Sequence, residues 1–140
     1  MIIVYGGRNE KGSPLNDCWG LRKHRNGTWD WVLAPYDEGY EPHKRFQHTI
    51  TFFYNFLIVI GGRNTSENKQ IPIEIYDTQT SKWVSVAFFN KFRHTTWIVD
   101  DSIYTHGGFQ LNNTLVAQSD IIKIDLIRLF NSNDTLNNFN

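Results

Sequence analysis

RFQHTITFFYNFLIVIGGRN, residues 45–64, decides the fold, because most of it recurs. An offset of 46 residues places His48 on His94, Thr49 on Thr95, Leu57 on Ile103, Gly61 on Gly107 and Gly62 on Gly108. In both copies the histidine precedes the first glycine by 13 residues, with two short apolar runs between. The opening MIIVYGGRN, residues 1–9, matches residues 56–64 at an offset of 55 and sets Gly6 and Gly7 on the same glycine pair. Three copies of one unit are expected, the first of them incomplete at its N-terminal side.

Each apolar run has the length and the Ile, Val, Phe and Thr content of a strand bounded by turn formers. Residues 49–53 and 56–60 are predicted strands joined by a tight turn at Tyr54-Asn55. Adjacent glycines after a buried strand admit a close neighbour or a positive φ, so the pair speaks of packing before it speaks of a ligand. Two more strands follow in the middle unit, residues 71–76 and then 83–87, beyond the turn residues 77–81. Pro72 conflicts with the first of these unless it falls at the strand start or on the unbonded side of the ladder. At an offset of 54, Trp19 and Leu21 fall on Ile73 and Ile75, and Trp29 falls on Trp83.

Four short strands, a glycine pair after the second and a tryptophan on the fourth, at a period of roughly 46–55 residues, describe a β-propeller blade. The predicted class is therefore all-β, a propeller fragment of two and a half to three four-stranded blades over residues 1–130. Gly61-Gly62, Tyr76, Trp83 and Arg45-Phe46-Gln47-His48 resemble the kelch motif. Segments 7–35, 45–62 and 92–119 further resemble the later repeats of the kelch domain in serine/threonine phosphatases with N-terminal kelch repeats, the plant brassinosteroid-signalling phosphatases among them. That resemblance implies a regulatory or targeting role, with catalysis elsewhere in the parent protein. The other reading is the substrate-recognition propeller of a ubiquitin-ligase adaptor, as many kelch proteins are.

Composition sets outer limits. Of 140 residues, 40% are apolar and 15% aromatic, a globular and β-leaning mixture. Fourteen basic side chains balance fourteen acidic ones, so no global field recruits nucleic acid or an anionic membrane. One cysteine, Cys18, excludes an internal disulfide and suits a reducing compartment; cytoplasm or nucleus is the expected location. Residues 131–140 are rich in asparagine and poor in apolar side chains, and are expected to be a disordered tail. The last unit is less regular: residues 114–118 or the alternating run IIKIDLIRLF, residues 121–130, would supply its third strand, and no tryptophan follows in register.

Enzymatic signatures are lacking. A two-metal phosphatase centre calls for Gly-Asp and Asn-His turns, and the chain contains neither dipeptide. No Gly-x-Ser-x-Gly elbow occurs, and nothing assembles tyrosine and histidines around Cys18 as a galactose-oxidase-like copper site requires. No cofactor and no metal is expected. His48 and His94 share a repeat position and so stand in different blades; each is expected to tie a loop to its own blade. His106, in a strand beside the glycines where the other units have Ile60 and Tyr5, is the odd member, with a satisfied core histidine as its plainer reading.

What remains is a binding scaffold. Arg8 and Arg63 follow glycine pairs, while Arg45 and Arg93 stand ahead of a histidine; repeated around a funnel they are suited to clamp an acidic or phosphorylated protein segment. Holding neighbouring loops is the competing structural role. The loops at residues 35–43 and 64–70 are further contact surfaces, and the basic turn at residues 22–27 reads first as a solvated hairpin. Trp29 and Trp31 share a strand face, as expected for inter-blade packing. Too few strands are present to close a ring, so the open blade faces predict self-association, two copies building a pseudo-ring. The structural repeat positions are Gly6, Gly7, Trp29, His48, Gly61, Gly62, Tyr76, Trp83, His94, Gly107 and Gly108.

Overall fold

A computed structural model describes residues 1–35, 39–64, 70–110 and 117–131. Three antiparallel sheets of three or four strands, and a fourth of two short strands, follow one another along the chain. The first is β1 (Ile2–Arg8), β2 (Pro14–Lys23) and β3 (Trp29–Leu33), in that order. The second is β4 (Thr49–Phe53), β5 (Phe56–Ile60), β6 (Ile71–Asp77) and β7 (Lys82–Phe89), four strands in sequence order. A two-residue strand β8 (Lys91–Phe92) leads to β9 (Thr95–Val99) and β10 (Ser102–His106). Then come β11 (Phe109–Gln110), which pairs with β8, and β12 (Ile121–Asp125), which gives the third sheet the order β12-β10-β9. Helix α1 (Leu126–Asn131) ends the described chain. These are three consecutive blades of a kelch-type propeller, with three, four and three strands.

The repeat extends to the backbone. Tyr54 and Asp100, one offset of 46 apart, both take left-handed φ, 52° and 50°, at the two-residue turns joining β4 to β5 and β9 to β10. Gln47 and Arg93 do the same at 60° and 57°, and the Arg93 N–H donates to the Gln47 carbonyl across the blade boundary.

Strand β6 is buried along its whole length, which explains its composition. Ile73 and Ile75 join Ile58, Ile60, Val84, Phe89 and Ile103 in the core between the second and third blades. The opposite face gives Tyr76, which with Leu57, Val59 and Trp83 packs on Tyr5 and Cys18 of the first blade. Full burial of such side chains contributes about 1.5–3 kcal/mol each. Pro72 costs little, because it lies beyond the last β5–β6 pair and beside a register shift between Pro72 and Glu74.

Several expectations need correction. Strand β2 begins at Pro14, so the loop between the first two strands spans only residues 9–13. Pairing then sets β2 at an offset of 55 and β3 at one of 52 in place of 54. Ile2, at the Leu57 position, faces Leu21, so Leu21 matches Tyr76, and its partner Trp31, not Trp29, matches Trp83. Trp29 pairs with Lys23 nearer the tip of a longer hairpin. Trp29 and Trp31 do share a face, but no blade of this chain covers it, and both are exposed. Of the run IIKIDLIRLF only the first five residues are a strand. Asp125 caps a helix by accepting the Arg128 N–H at 3.1 Å, and the helical spacing of Leu126, Leu129 and Phe130 turns them onto the core. Most of the predicted loop at residues 64–70, the alternative strand at residues 114–118 and the tail at residues 132–140 lie outside the described residues.

Candidate interaction surface

Glycine pairs and histidines form one structural device, the seam between blades. At Gly61, φ 65°, a Cβ would stand 2.5 Å from His94 Cε1 and collide with the Lys91 carbonyl; at Gly6, φ 59°, it would meet the Arg45 carbonyl at 2.7 Å and His48 Cε1 at 3.2 Å. The first glycine of a pair thus makes room for the next blade's histidine. The second makes room for its own: a Cβ on Gly62 would lie 2.8 Å from His48 Cβ, and one on Gly108 3.0 Å from His94 Cβ. At the ends of the arc the pattern is half empty, with nothing within 4 Å of a Cβ on Gly7 and only the Gln118 carbonyl at 3.6 Å near Gly107.

His48 and His94 reach back to the preceding blade instead of tying a loop to their own. His94 Nε2 lies 3.0 Å from Thr49 Oγ1, which also meets Thr96 Oγ1 at 2.7 Å. His48 bonds the Tyr5 backbone and stands edge-on to the Tyr5 ring, centroids 5.4 Å apart. Burial, reinforced by the cation of Arg45 for His48 and of Lys91 for His94, lowers both imidazoles to about 4. Both are neutral near pH 7.

Arg45 is fully buried. Its Nη1 donates to the Gly61 carbonyl at 2.9 Å, and its Nη2 to the Pro72 carbonyl and Glu74 Oε2, both at 2.8 Å. Among the four arginines proposed for partner binding, Arg45 is therefore corrected to a structural residue. Glu74, equally buried, also accepts from Tyr40 Oη at 2.6 Å and from the His43 N–H at 2.9 Å. The connection expected to be a free contact loop is thus fastened to β6 over residues 40–45. The same offset of 46 that relates the histidines carries Arg45 to Lys91 and Glu74 to Asp120, and Lys91 pairs with Asp120.

Arg8, Arg63 and Arg93 have a different setting. Arg8 Cζ lies 4.5 Å from the Phe46 ring centre; Arg63 Cζ lies 5.1 Å from Phe46 and 4.7 Å from Phe92; Phe92 stacks on Phe109 at 5.6 Å. Guanidinium and ring alternate across all three blades, each contact contributing about 0.5–2 kcal/mol. Among the described residues the side-chain partners on this ladder are uncharged: the Gly12 carbonyl for Arg8 and the Gln47 amide oxygen for Arg63. Burial, then Arg93 and Arg8, lowers the affinity of Arg63 for its proton, a sign of crowded positive charge. Arg8 and Arg93 are exposed and Arg63 is half-buried.

The basic turn of the first blade is neutralised in part, because Asp30 accepts Arg22 at 2.8 Å and lies 2.9 Å from His24 Nε2. His106 is exposed on the outer side of the third blade and not a satisfied core histidine. Among the described residues no three His, Cys, Asp or Glu side chains are placed to share a metal, and no helix is long and apolar enough to cross a membrane. Glu74, the Lys91–Asp120 pair and the part of Phe46 and Phe92 in the arginine ladder escaped the sequence reading. The offset of 46, applied to charged residues as well as to apolar ones, would have found the paired charges.

No family model matches the chain. It is 28% identical over 150 residues to the serine/threonine-protein phosphatase BSL2 of Arabidopsis thaliana, a match covering 84% of the chain and 14% of that protein. It is 28% identical over 120 residues to human Kelch-like protein 24, covering 82% of the chain and 18% of the relative. With mouse Kelch-like protein 13 the identity is 33% over 78 residues, 52% of the chain and 11% of the relative. The chain spans less than a fifth of the length of each of these proteins. Repeated seam, strand order and relatives agree, and the chain resembles kelch-repeat propellers in sequence and in fold.

Proposed function

We propose that this chain is a non-catalytic protein-interaction segment of a kelch-type propeller, working in the cytoplasm or nucleus as the regulatory or targeting part of a serine/threonine protein phosphatase. Its contact surface is the ladder of Arg8, Arg63 and Arg93, and its ligand is an acidic or phosphorylated protein segment. One observation carries the reading: the guanidinium groups of Arg8 and Arg63 stack on the Phe46 and Phe92 rings with the charge of Arg93 bearing on Arg63, one arginine from each of three successive blades, and no carboxylate is paired to them among the described residues. Stacking leaves the donor edges of a guanidinium available for bidentate bonds to carboxylate or phosphate. Likeness to the Kelch-like proteins favours a second reading, the substrate-recognition propeller of a ubiquitin-ligase adaptor.

Fluorescence anisotropy with acidic and phosphoserine peptides tests the surface. Arg8→Ala combined with Arg63→Ala is expected to weaken binding at least tenfold at a temperature where a thermal melt shows the variant still folded. Unchanged affinity in that variant overturns the assignment. A metallophosphatase domain in the parent reading frame supports the first reading, and a BTB domain supports the second.

A further inference from the structure

One repeat position on the arginine ladder changes character along the chain. The glycine pair is followed by Arg8 in the first blade, by Arg63 in the second and, at the offset of 46, by Phe109 in the third. Backbone pairing shows the last two to be equivalent: Arg63 bridges Phe46, Phe109 pairs with Phe92, and the two ring positions are themselves 46 residues apart. A ladder that begins with guanidinium on ring therefore ends with ring on ring. Phe92 has Arg63 Cζ 4.7 Å from its centre and the Phe109 ring 5.6 Å away, inclined by 25°.

Phe46 and Phe92 are buried, so they are the floor of the surface and not its contact groups. Arg63 and Phe109 are half-buried, and each presents part of its side chain to solvent. An apolar group lying against Phe109 gains by leaving water, whereas a carboxylate or phosphate there would lose water and meet no guanidinium of that row. Adjacent residues do not restore the missing cation. Gln110 is uncharged, Lys91 opposite it is buried against Asp120, and the charge of Arg93 bears on Arg63.

We propose, resting on the assignment of the ladder as the contact surface, that its ligand is a protein segment of two-part chemistry. An acidic or phosphorylated residue is held by Arg8 and Arg63, and an aliphatic or aromatic side chain two or three residues away covers Phe109. The spacing follows from the shared ring: Arg63 and Phe109 lean on Phe92 at 4.7 and 5.6 Å, a separation that two or three residues of extended chain span at ~3.3 Å each. Charge complementarity selects the first half of this ligand, and phenylalanine in the place of arginine selects the second. A free anion would occupy the arginines and leave Phe109 in water. A uniformly acidic segment would set a charge on an apolar ring.

Fluorescence anisotropy with labelled peptides tests the proposal. Each peptide carries one phosphoserine in a glycine-serine background, with leucine, alanine or aspartate two or three residues to either side. The wild-type chain is expected to bind the leucine peptide of one such spacing about five- to tenfold tighter than its alanine counterpart. Phe109→Arg, which gives the third blade the side chain of the first two, should erase that preference and bind the aspartate peptide tighter than the leucine one. Equal wild-type affinity for leucine and alanine peptides at every spacing, or a leucine preference that persists in Phe109→Arg, overturns the proposal and leaves the arginine surface standing. Binding of no peptide, or binding that survives Arg8→Ala combined with Arg63→Ala, overturns both. Thermal melts show whether Phe109→Arg folds; should it fail, Phe109→Gln takes its place, and a leucine preference retained there contradicts the proposal.

Discussion

Arg45 and Glu74 form an ion pair at 2.8 Å with neither side chain exposed, joining the start of the second blade to its third strand. A charge in the middle of the apolar strand β6 is tolerable only because its oxygens are met by Arg45, Tyr40 and His43. Removing one partner leaves the other buried and unpaired. Arg45→Met or Glu74→Gln is expected to cost about 3–5 kcal/mol, and the double replacement less than the sum of the two. Urea unfolding of the three variants measures this. The repeat-equivalent Lys91–Asp120 pair, whose carboxylate is half in water, should respond much less to Asp120→Asn.

Glycine substitutions should separate seam from turn. Gly61→Ala and Gly62→Ala force a Cβ against backbone and histidine atoms, so both should be severely destabilising or fail to fold. Gly7→Ala meets nothing within 4 Å and carries only the strain of its φ of 104°, about 1–2 kcal/mol. Thermal melts of the three variants rank them directly.

Trp83 and Trp29 should behave oppositely despite their similar place in the sequence pattern. Trp83, 5% exposed between Tyr5 and Tyr76, is expected to cost about 3–5 kcal/mol on replacement by alanine. Trp29→Ala, half-exposed beside Lys23, should change stability by less than about 1 kcal/mol. Equal losses would contradict the register in which Trp31 holds the Trp83 position.

The arginine ladder predicts coupling. Arg8 and Arg63 lean on the same Phe46 ring and repel one another; each single replacement relieves that repulsion but the double relieves it only once, so the Arg8→Ala, Arg63→Ala double variant should lose more stability than the two single losses combined. A double-mutant cycle in low and high salt checks this, the coupling shrinking as salt rises.

Periodic residues made the blade legible. Gly61, Gly107, His48 and His94 recur at fixed spacing, and short β-branched runs between turn residues admit only strands. Less legible was anything set by tertiary pairing. Arg45 reads as a surface charge because nothing local says that Glu74, 29 residues on, will be buried beside it. Trp29 took the place of Trp31 because hairpin length fixes the register, and sequence offset does not report it. Leu126 continued a strand-like alternation, and only the Asp125 cap and the packing of Leu129 and Phe130 turned it into a helix.

NMR titration of His48 and His94 tests most directly the claim that they are one residue of a repeated seam. Buried and neutral, both should titrate together near pH 4, whereas they take up protons near 6.5 in the unfolded chain. The unfolded state then binds more protons between those values. Stability is therefore full above about pH 6.5 and falls as pH drops toward 4, by on the order of 3 kcal/mol per histidine. Two imidazole signals moving together near pH 4, each shifted by alanine at the other blade's contact, are the predicted result; either histidine titrating near 6.5 in the folded chain would contradict the account.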